Sequence, residues 1–362
     1  MAGPRKPISF IEDCAVRLED LADYTDRLTQ VFHKHGTEGT WYAHASVGCL
    51  HVRPVVNLKE PGGAVEMRAM AEEAFALVRE YKGSHSGEHG DGLVRSEFHL
   101  PMFGQRMVDN FAEVKSILDP TGLFNPGKIV APPKMDDRRL FRFKPDYKTD
   151  ELETGLDWSP WGGFQRAVEM CNNNGACRNT GLGGVMCPSF KVTGDEAHLT
   201  RGRANLLRLG LSGQLGPNAL QGEAMADAMS LCVGCKGCRR ECPVGVDMAA
   251  MKVEVQYQRA KRLGLSLHDR LVAYLPRYAR WAARLAPLLN LRDQVPGLAW
   301  LSEKLLGFTA RRPLPKWRRD VFRASKVAGP ESGVEVVLFA DTFNTNFEAE
   351  NLHAAIAVLT AA

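Results

Sequence analysis

The chain carries a run of four cysteines whose spacing suits an iron–sulfur cluster. Cys232, Cys235, Cys238 and Cys242 follow the pattern C-x2-C-x2-C-x3-C, and a proline comes directly after the last of them. Thiolates at this spacing bind a [4Fe–4S] cluster. Such a cluster transfers single electrons, so the run predicts that this chain takes electrons from one group and passes them to another.

A second, incomplete run lies upstream, in the stretch "CNNNGACRNTGLGGVMCP". Cys171 and Cys177 have the separation expected of the first and third cysteines of such a run. Asn174 occupies the second place, and the fourth cysteine is displaced to Cys187, which keeps its following proline. The stretch therefore reads as a cluster-binding run that has lost one ligand.

In ferredoxins with two clusters, the fourth cysteine of each run binds the other cluster. We therefore predict one complete site and one site with three thiolates. The complete site consists of Cys187, Cys232, Cys235 and Cys238, and the three-thiolate site consists of Cys171, Cys177 and Cys242. The second site is expected to hold a cluster with a non-cysteine ligand or an open iron, a three-iron cluster, or no cluster, and a structural zinc ion is the alternative. Cys14 and Cys49 are expected to be plain buried thiols.

Histidines and a glutamate form a second group with metal-binding character. The stretch "YAHASVGCLH" places His44 and His51 on neighbouring strands around one turn, and "SGEHGDG" adds Glu88 and His89 in a Gly-rich loop. Two imidazoles and a carboxylate are ligands that suit a divalent metal such as zinc. His89 is predicted to be the general base, because a neutral imidazole accepts protons near pH 7. The competing interpretation is that each histidine is an ordinary surface or core residue, as we expect for His33, His35, His85 and His99.

The bulk composition is that of an ordinary globular protein. The 362 residues include 44% hydrophobic and 24% charged side chains, and the net charge of +4 is too small to indicate nucleic-acid binding. No apolar run reaches the ~18 residues of a membrane span. The first residues, "MAGPRKPISF", lack the apolar core of a secretory signal. Cysteines at ligand spacings without such a signal favour a reducing cytoplasm over disulfides.

The elements that must position these residues divide into several segments. Residues 8–16 predict a strand, residues 39–54 predict two short strands around a turn at Gly48, and three helices with apolar stripes lie between these strands and the turn-rich "DPTGLFNPGK". The predicted fold class is α+β, with a partial ferredoxin-like antiparallel layer followed by an α-helical iron–sulfur domain.

The remaining segments are helices and linkers. Residues 133–160 read as a linker, 161–263 as helices with the cysteines at helix ends and in loops, and 264–308 as amphipathic helices with an arginine face. Residues 309–333 read as a basic linker. "VEVVLFA" at 334–340 predicts a buried strand, and with the last helix it is too short to bury a core, so 334–362 reads as the start of a further domain.

These motifs together resemble a known family. "HASVGCLH", "SGEHGDG" and "DPTGLFNPGK" resemble the C-terminal part of the FAD-linked 2-hydroxy acid dehydrogenases, the family of D-lactate dehydrogenase, glycolate oxidase and D-2-hydroxyglutarate dehydrogenase. "CRNTGLGGVMCPSF" and "CVGCKGCRRECPVGVDM" are similar to their fused iron–sulfur module. The resemblance implies a substrate-cap segment at 1–132, a 4Fe–4S ferredoxin-like domain at 161–263 and the start of a cysteine-rich-type βα domain at 334–362.

The resemblance also implies roles for individual residues. It matches His44, His51 and Glu88 with metal ligands that polarise the substrate hydroxyl, and His89 with the base that removes the hydroxyl proton. It places Asn125 and Lys128, in "FNPGK", near the flavin.

Two departures from the family pattern stand out. The segment between the histidines is Ser46-Val47-Gly48-Cys49 where the family has Gly-Asp-Gly-Asn, and Arg53 stands where other members carry a polar substrate contact. Its guanidinium is expected to pair with a substrate carboxylate. The FAD-binding domain and about half of the cap are not in this sequence, so it is expected to be a segment of a longer polypeptide or the product of a split gene.

The function implied by the resemblance is oxidation of D-lactate, D-2-hydroxyglutarate or glycolate to the 2-oxo acid. The expected partners are the 2-hydroxy acid, an FAD-binding domain or subunit, and an electron acceptor such as a quinone, a cytochrome or an electron-transfer protein, with no nucleic acid. The expected location is the cytoplasm, with peripheral contact to the inner membrane through the basic amphipathic helices. The alternatives are an iron–sulfur electron-transfer module without its own flavin and a zinc-stabilised structural module.

Overall fold

A computed structural model describes residues 3–181, 183–324 and 334–361. It divides the chain into two compact units, residues 1–258 (unit 1) and 259–362 (unit 2). Unit 1 contains every cysteine and every residue that the sequence predicts to be a metal ligand.

A small antiparallel sheet begins unit 1. Its central strand, β4 (Cys49–Val56), pairs with β3 (Gly39–His44) along the whole of β3 and with the two-residue strands β1 (Lys6–Pro7) and β2 (Cys14–Ala15). The predicted hairpin is confirmed. It turns at Gly48, which has φ 72°, and a Cβ there would lie 1.9 Å from the carbonyl oxygen of Val16.

The strand predicted over residues 8–16 is shorter in the structure, with only its Cys14–Ala15 end forming β2. Asp13 interrupts the extended backbone because its φ is 96°. Phe10 and Ile11 are buried on the core side of this bend, which is why the segment looks like a strand in sequence.

Two long helices cover the sheet: α1 (Leu21–Lys34) and α2 (Pro61–Glu80). Tyr24, Leu28 and Phe32 recur every fourth residue of α1, and each is fully buried. Together with the sheet and α2 they form the first apolar core of unit 1. Burial of one such side chain stabilises the fold by roughly 1.5–3 kcal/mol.

Three further helices follow, and Val94 of the first and Met102 of the second pack against this core. They are α3 (Gly92–Arg95), α4 (His99–Phe103) and α5 (Gln105–Leu118). Helix α5 has an apolar stripe, yet none of its residues is buried, and Ile117 and Leu118 are 68% and 77% exposed. Its apolar face therefore lies open among the described residues.

The cysteine-bearing half of unit 1 is helical, as predicted. Its helices are α6 (Phe164–Val168), α7 (Pro188–Thr193), α8 (Thr200–Leu211), α9 (Glu223–Ser230), α10 (Gly237–Glu241) and α11 (Met248–Leu263), the last of which continues past residue 258. They enclose a second apolar core that includes Trp158, Phe164, Leu207 and Met225.

Residues 133–160, predicted as a linker, contribute to both cores. Met135 is buried in the first core and Trp158 in the second. Between them, the Tyr147 hydroxyl donates to Glu169 at 2.6 Å, and Lys59 of the first half forms an ion pair with the same carboxylate. The polar composition that suggested a linker thus reflects hydrogen bonds between the two halves.

Unit 2 consists of helices. They are α12 (Leu267–Ala273), α13 (Leu275–Ala282), α14 (Ala286–Leu289), α15 (Leu291–Gln294), α16 (Leu298–Leu306), α17 (Thr342–Asn346) and α18 (Ala349–Ala361). Among the described residues of this unit, 334–340 forms no strand, because the segment has no neighbouring strand with which to pair. The end of the predicted basic linker, residues 325–333, lies outside the described residues.

The α+β fold class is confirmed at the level of a small antiparallel sheet with many helices. The ferredoxin-like and substrate-cap descriptions remain predictions. In the described part of the chain, no helix is both long and apolar enough to cross a bilayer.

Candidate metal and iron–sulfur sites

The β3–β4 turn and the Gly-rich loop (residues 86–92) bring three predicted histidines to one carboxylate oxygen of Glu88. Oε1 of Glu88 lies 3.1 Å from Nε2 of His44, 3.0 Å from Nε2 of His51 and 3.6 Å from Nε2 of His89. His51 is buried, while the other three side chains are partly exposed. Imidazole nitrogens and carboxylate oxygens are donors of the kind that bind divalent ions. The group whose donor atoms all lie within 4.8 Å of one another joins Glu88 and His51 to Asp13 and Cys49, and it does not include His44.

His89 stacks on His51, with their ring centroids 4.9 Å apart. Its side chain is 45% exposed, so the ring is accessible from the open side of the cluster. Glu88 therefore contacts His44 and His51 through one oxygen, and His89 packs against His51.

Arg53 is engaged by a residue that the sequence analysis missed. Its Nε and Nη2 each donate to one oxygen of Glu12 at 2.9 Å, and Nη2 also donates to the hydroxyl of Tyr42 at 2.5 Å. The hydrogen bond from Arg53 lowers the pKa of Glu12 to about 2. The guanidinium therefore already has one carboxylate partner, and among the described residues its Nη1 donates to none.

Tyr42 connects this pair to the metal-ligand cluster, because its ring lies 4.9 Å from that of His51. Asp13 and Arg95 also lie beneath the Gly-rich loop and were not predicted. One signal in the sequence identifies the acids. Glu12 and Asp13 interrupt the apolar segment "ISFIEDCAV", and buried acids need partners.

Asn125 and Lys128 line a pocket beside the Gly-rich loop. Its walls include Gly90, Asp91 and the apolar face of α5, and Lys128 Nζ donates to Asn125 Oδ1 at 3.3 Å. The two residues predicted to lie near the flavin thus share a pocket with the loop that carries Glu88 and His89.

Cys187, Cys232, Cys235 and Cys238 line one pocket. Cys187 lies directly before α7, Cys232 and Cys235 lie in the loop before α10, and Cys238 lies in α10. The structure thus brings together the four cysteines that the exchange of fourth ligands predicts.

Donors face two of these sulfurs. The buried Arg203 donates from Nη1 to Cys187 Sγ at 3.6 Å, and the Met248 N–H donates to Cys238 Sγ at 3.3 Å. Hydrogen bonds to cysteine sulfur are a usual feature of cluster sites. The convergent thiols and their donors fit a [4Fe–4S] cluster.

Cys171, Cys177 and Cys242 are not part of that lining, and Cys171 lies near each of the other two. Burial raises the pKa of the Cys171 thiol, and nearby Cys242 adds to the rise. Burial likewise raises the pKa of Cys177, with a contribution from Cys171. Asn174, at the place of the lost cysteine, donates from Nδ2 to Asn172 Oδ1 at 2.6 Å.

Cys14 and Cys49 are buried, as expected. Cys49 also donates to Asp13 Oδ1 at 3.4 Å, close to the metal-ligand cluster.

Two family models match the chain in the regions that carry these sites. Residues 1–129 match the C-terminal domain of FAD linked oxidases, and residues 167–246 match a 4Fe-4S dicluster domain. The chain therefore joins an FAD-linked oxidase C-terminal domain to an iron–sulfur domain. The resemblance inferred from the motifs is confirmed.

Curated relatives are similar to this chain over different shares of its length. The D-2-hydroxyglutarate dehydrogenase of Escherichia coli is 30% identical over 84% of the chain and 33% of the relative. The enzyme of the same name from Pseudomonas putida is 30% identical over 89% of the chain and 34% of the relative. D-lactate dehydrogenase of Archaeoglobus fulgidus is 29% identical over 35% of the chain and 28% of its own length. The chain spans about a third of the length of the D-2-hydroxyglutarate dehydrogenases that it matches.

Proposed function

We propose that this chain is the substrate-binding and electron-relay portion of an FAD-dependent D-2-hydroxy acid dehydrogenase. The observation that carries the proposal is the convergence of His44, His51 and His89 on one oxygen of Glu88, beside the pocket of Asn125 and Lys128. D-2-hydroxyglutarate is the first substrate to test, because relatives with that name match over most of the chain. D-lactate and glycolate are the other candidates.

In this proposal His44, His51 and Glu88 hold a divalent metal, with zinc as the first candidate. The chemistry supplied by such an ion is polarisation of the substrate hydroxyl, which lowers the hydroxyl pKa. His89 lies beside the ligands with an exposed ring, where it accepts the hydroxyl proton as general base.

Oxidation also removes the α-hydrogen with its electron pair. Acceptance of that hydride is the chemistry supplied by the flavin of the FAD-binding domain or subunit. Asn125, Lys128 and the open apolar face of α5 are the residues of this chain that face the flavin in the proposal. The exposed stripe of α5 favours this placement, because large exposed apolar faces mark binding surfaces.

Arg53 and Glu12 together orient the substrate carboxylate. Glu12 holds the guanidinium through two parallel hydrogen bonds, so the direction of the remaining Nη1 is set before the substrate binds. A pre-oriented donor loses less conformational entropy on binding. A second hydrogen-bonded carboxylate on Arg53 is therefore weaker than a pair with a free arginine, but it is more selective in direction.

The complete cysteine site then receives electrons one at a time. Cys187, Cys232, Cys235 and Cys238 hold the [4Fe–4S] cluster, and the chemistry that the cluster supplies is one-electron transfer. Cys171, Cys177 and Cys242 are proposed to hold a second cluster that has a ligand other than cysteine.

Unit 2 is the proposed place for the electron acceptor or for peripheral contact with the membrane. Its exposed Trp281 lies under the guanidinium of Arg284 at 4.2 Å, and Tyr274 lies under that of Arg277 at 4.8 Å. Aromatic rings beside arginines on exposed helices are typical of surfaces that contact anionic lipid headgroups.

The test is a complex of this chain with the flavin-containing part of the enzyme. We expect the complex to contain FAD, iron and sulfide, and to be bleached at the flavin bands when D-2-hydroxyglutarate, D-lactate or glycolate is added without oxygen. A flavin-loaded complex that none of the three reduces would overturn the enzyme proposal. A chain that binds iron but forms no complex with the flavin-containing part would support the electron-transfer module, and a colourless chain with zinc would support the structural module.

A further inference from the structure

We propose that Asp13 and Arg95 form a buried clamp that positions the Gly-rich loop, and with it Glu88 and His89. The inference deepens the proposed function and rests on it, because Glu88 and His89 are the ligand and the base of that proposal. Asp13 and Arg95 are positioning residues that act through the loop backbone.

Asp13 holds the N–H side of the loop. Its fully buried carboxylate accepts the backbone N–H of Gly87 at 2.8 Å, of Glu88 at 2.9 Å and of His89 at 2.8 Å. Three consecutive amides aimed at one carboxylate leave the loop backbone little freedom, because hydrogen bonds to a charged group are stronger than those between neutral groups.

Arg95 holds the carbonyl side of the same loop. Its Nη2 donates to the carbonyl oxygens of His89 at 3.3 Å and Gly90 at 3.1 Å. It also forms ion pairs with Asp13, 3.5 Å from Oδ2, and with Asp91, 3.0 Å from Oδ1. The backbone of His89 thus lies between Asp13, which accepts its N–H, and Arg95, which donates to its carbonyl oxygen, and both charged groups are buried and paired.

The backbone of Asp13 is strained to make this contact. Its φ of 96° is a conformation that residues other than glycine avoid, so the fold must supply compensating interactions. Glycine would relieve the strain but would remove the carboxylate. The cost of the strain is offset by the three amide hydrogen bonds, which a glycine at position 13 would not make.

Gly87 allows the close approach. A Cβ at this position would lie 2.9 Å from Cys49 Sγ and 3.2 Å from Asp13 Oδ1. A side chain here would push the loop away from Asp13. The hydrogen bonds between the loop and Asp13 therefore need both the aspartate and the glycine.

Asp13 is near enough to the metal-ligand cluster to be mistaken for a ligand, since its carboxylate, Cys49, His51 and Glu88 lie within 4.8 Å of one another. Its two oxygens, however, already accept three amide hydrogen bonds and face Arg95. The geometry assigns it to the support of the ligands, where substitutions typically weaken metal affinity about 10- to 100-fold.

The test compares Asp13→Asn with Glu254→Gln. Glu254 is the matched control, because this fully buried carboxylate also accepts two backbone N–H groups, of Gly155 and Leu156, and lies in the cysteine-bearing half. Zn²⁺ and Co²⁺ titrations of the chain after cluster reconstitution, with His51→Ala as the reference for binding elsewhere, first establish the parent affinity of the histidine site. We expect Asp13→Asn to weaken it about 10- to 100-fold, and Glu254→Gln to leave it unchanged although both variants lose stability. In the flavin-containing complex, Asp13→Asn should lower kcat more than it changes KM.

A parent that binds no metal would contradict the metal site of the proposed function. A parent that binds metal with an affinity that Asp13→Asn does not change would overturn the clamp alone. If Asp13→Asn does not fold, hydrogen exchange of the parent decides the question. The amides of Gly87, Glu88 and His89 should exchange at least about tenfold more slowly than an unprotected loop, and unprotected amides there would also overturn the clamp.

Discussion

The two sites of unit 1 are held in different ways. Around Glu88 and His89, buried ionisable side chains surround the ligands and pair with one another, as Glu12 does with Arg53 and Asp13 with Arg95. The complete cysteine site lies instead against an apolar core that includes Leu207, Met225 and Met248, where Arg203 donates to Cys187.

This difference indicates which site exists before its ligand binds. The charges around the histidines are paired within the protein, so that cluster is assembled by folding alone. The cysteines need iron, because burial raises the pKa of thiols such as Cys238 and disfavours the thiolate that a cluster requires. We therefore expect the first site to respond to pH and to side-chain charge, and the second to respond to its metal.

The largest effect is expected from Cys235→Ser. Cys235 is the exposed cysteine of the complete site. Its loss should remove most of the iron and sulfide, because a cluster that lacks one of its thiolates is not retained. Iron and sulfide analysis after anaerobic reconstitution measures this. Cys14→Ser, a buried cysteine of the other half, is the control and should keep the cluster. Unchanged iron and sulfide in Cys235→Ser would remove this residue from the ligand set.

His89→Asn makes the converse comparison. Positioned proton transfer contributes about 10²–10⁴ in rate, so turnover of the flavin-containing complex should fall by that factor. Metal and iron contents should stay unchanged, because His89 is not one of the proposed ligands. Glu88→Gln is the matched variant, and it should lose metal as well as turnover. His89→Asn that reduces the flavin at the parent rate in single-turnover mixing would show that another group takes the proton.

Much of this organisation could be predicted from the sequence, because its signals are local. The β3–β4 hairpin follows from a strand-forming stretch around Gly48, and the grouping of the cysteines follows from their spacing. The convergence of His44, His51 and Glu88 was predictable because one turn and one loop carry all three.

The supports of the sites were not predictable in the same way. Arg203 lies 16 residues after Cys187 in the sequence. Arg95 and Asp13 are separated by most of the first half of unit 1. Neither pairing has a period or a spacing, and each depends on where the chain folds back. The bend at Asp13 likewise reflects tertiary contacts that overrule the strand preference of its neighbours.

A smaller effect, on stability, is expected from His85, a buried residue in the half of unit 1 that contains Glu88 and His89. Burial lowers the pKa of His85 to about 4, and the groups that face it are Asp91, Arg95, His99 and Asp13. The unfolded chain, with the ordinary pKa of about 6.5, binds this proton first as the pH falls. The free energy of unfolding should therefore decrease between pH 6.5 and 4, with a contribution from His85 of about 3 kcal/mol.

His85→Phe removes this titration, so its unfolding free energy should fall less steeply over the same pH window. Urea unfolding at several pH values measures the difference, and His33→Phe, at an exposed position, is the control. Equal acid sensitivity in His85→Phe and the parent would mean that other groups of this half carry the effect.

The smallest effect is expected from Arg53→Lys, which tests the proposed contact between Arg53 and the substrate carboxylate. Lysine keeps the charge but has no planar guanidinium. It cannot bind Glu12 through two nitrogens and still offer a third to the substrate carboxylate, as Arg53 offers Nη1. We expect KM for a 2-hydroxy acid to rise about tenfold with kcat nearly unchanged, since a contact made equally in the ground and transition states affects binding alone. Arg27→Lys is the matched control, because Arg27 also pairs with a carboxylate and a tyrosine hydroxyl, Glu80 at 2.7 Å and Tyr81 at 3.2 Å, away from the site. If both variants keep the parent KM, the Arg53 guanidinium binds only Glu12 and Tyr42, and other residues bind the substrate carboxylate.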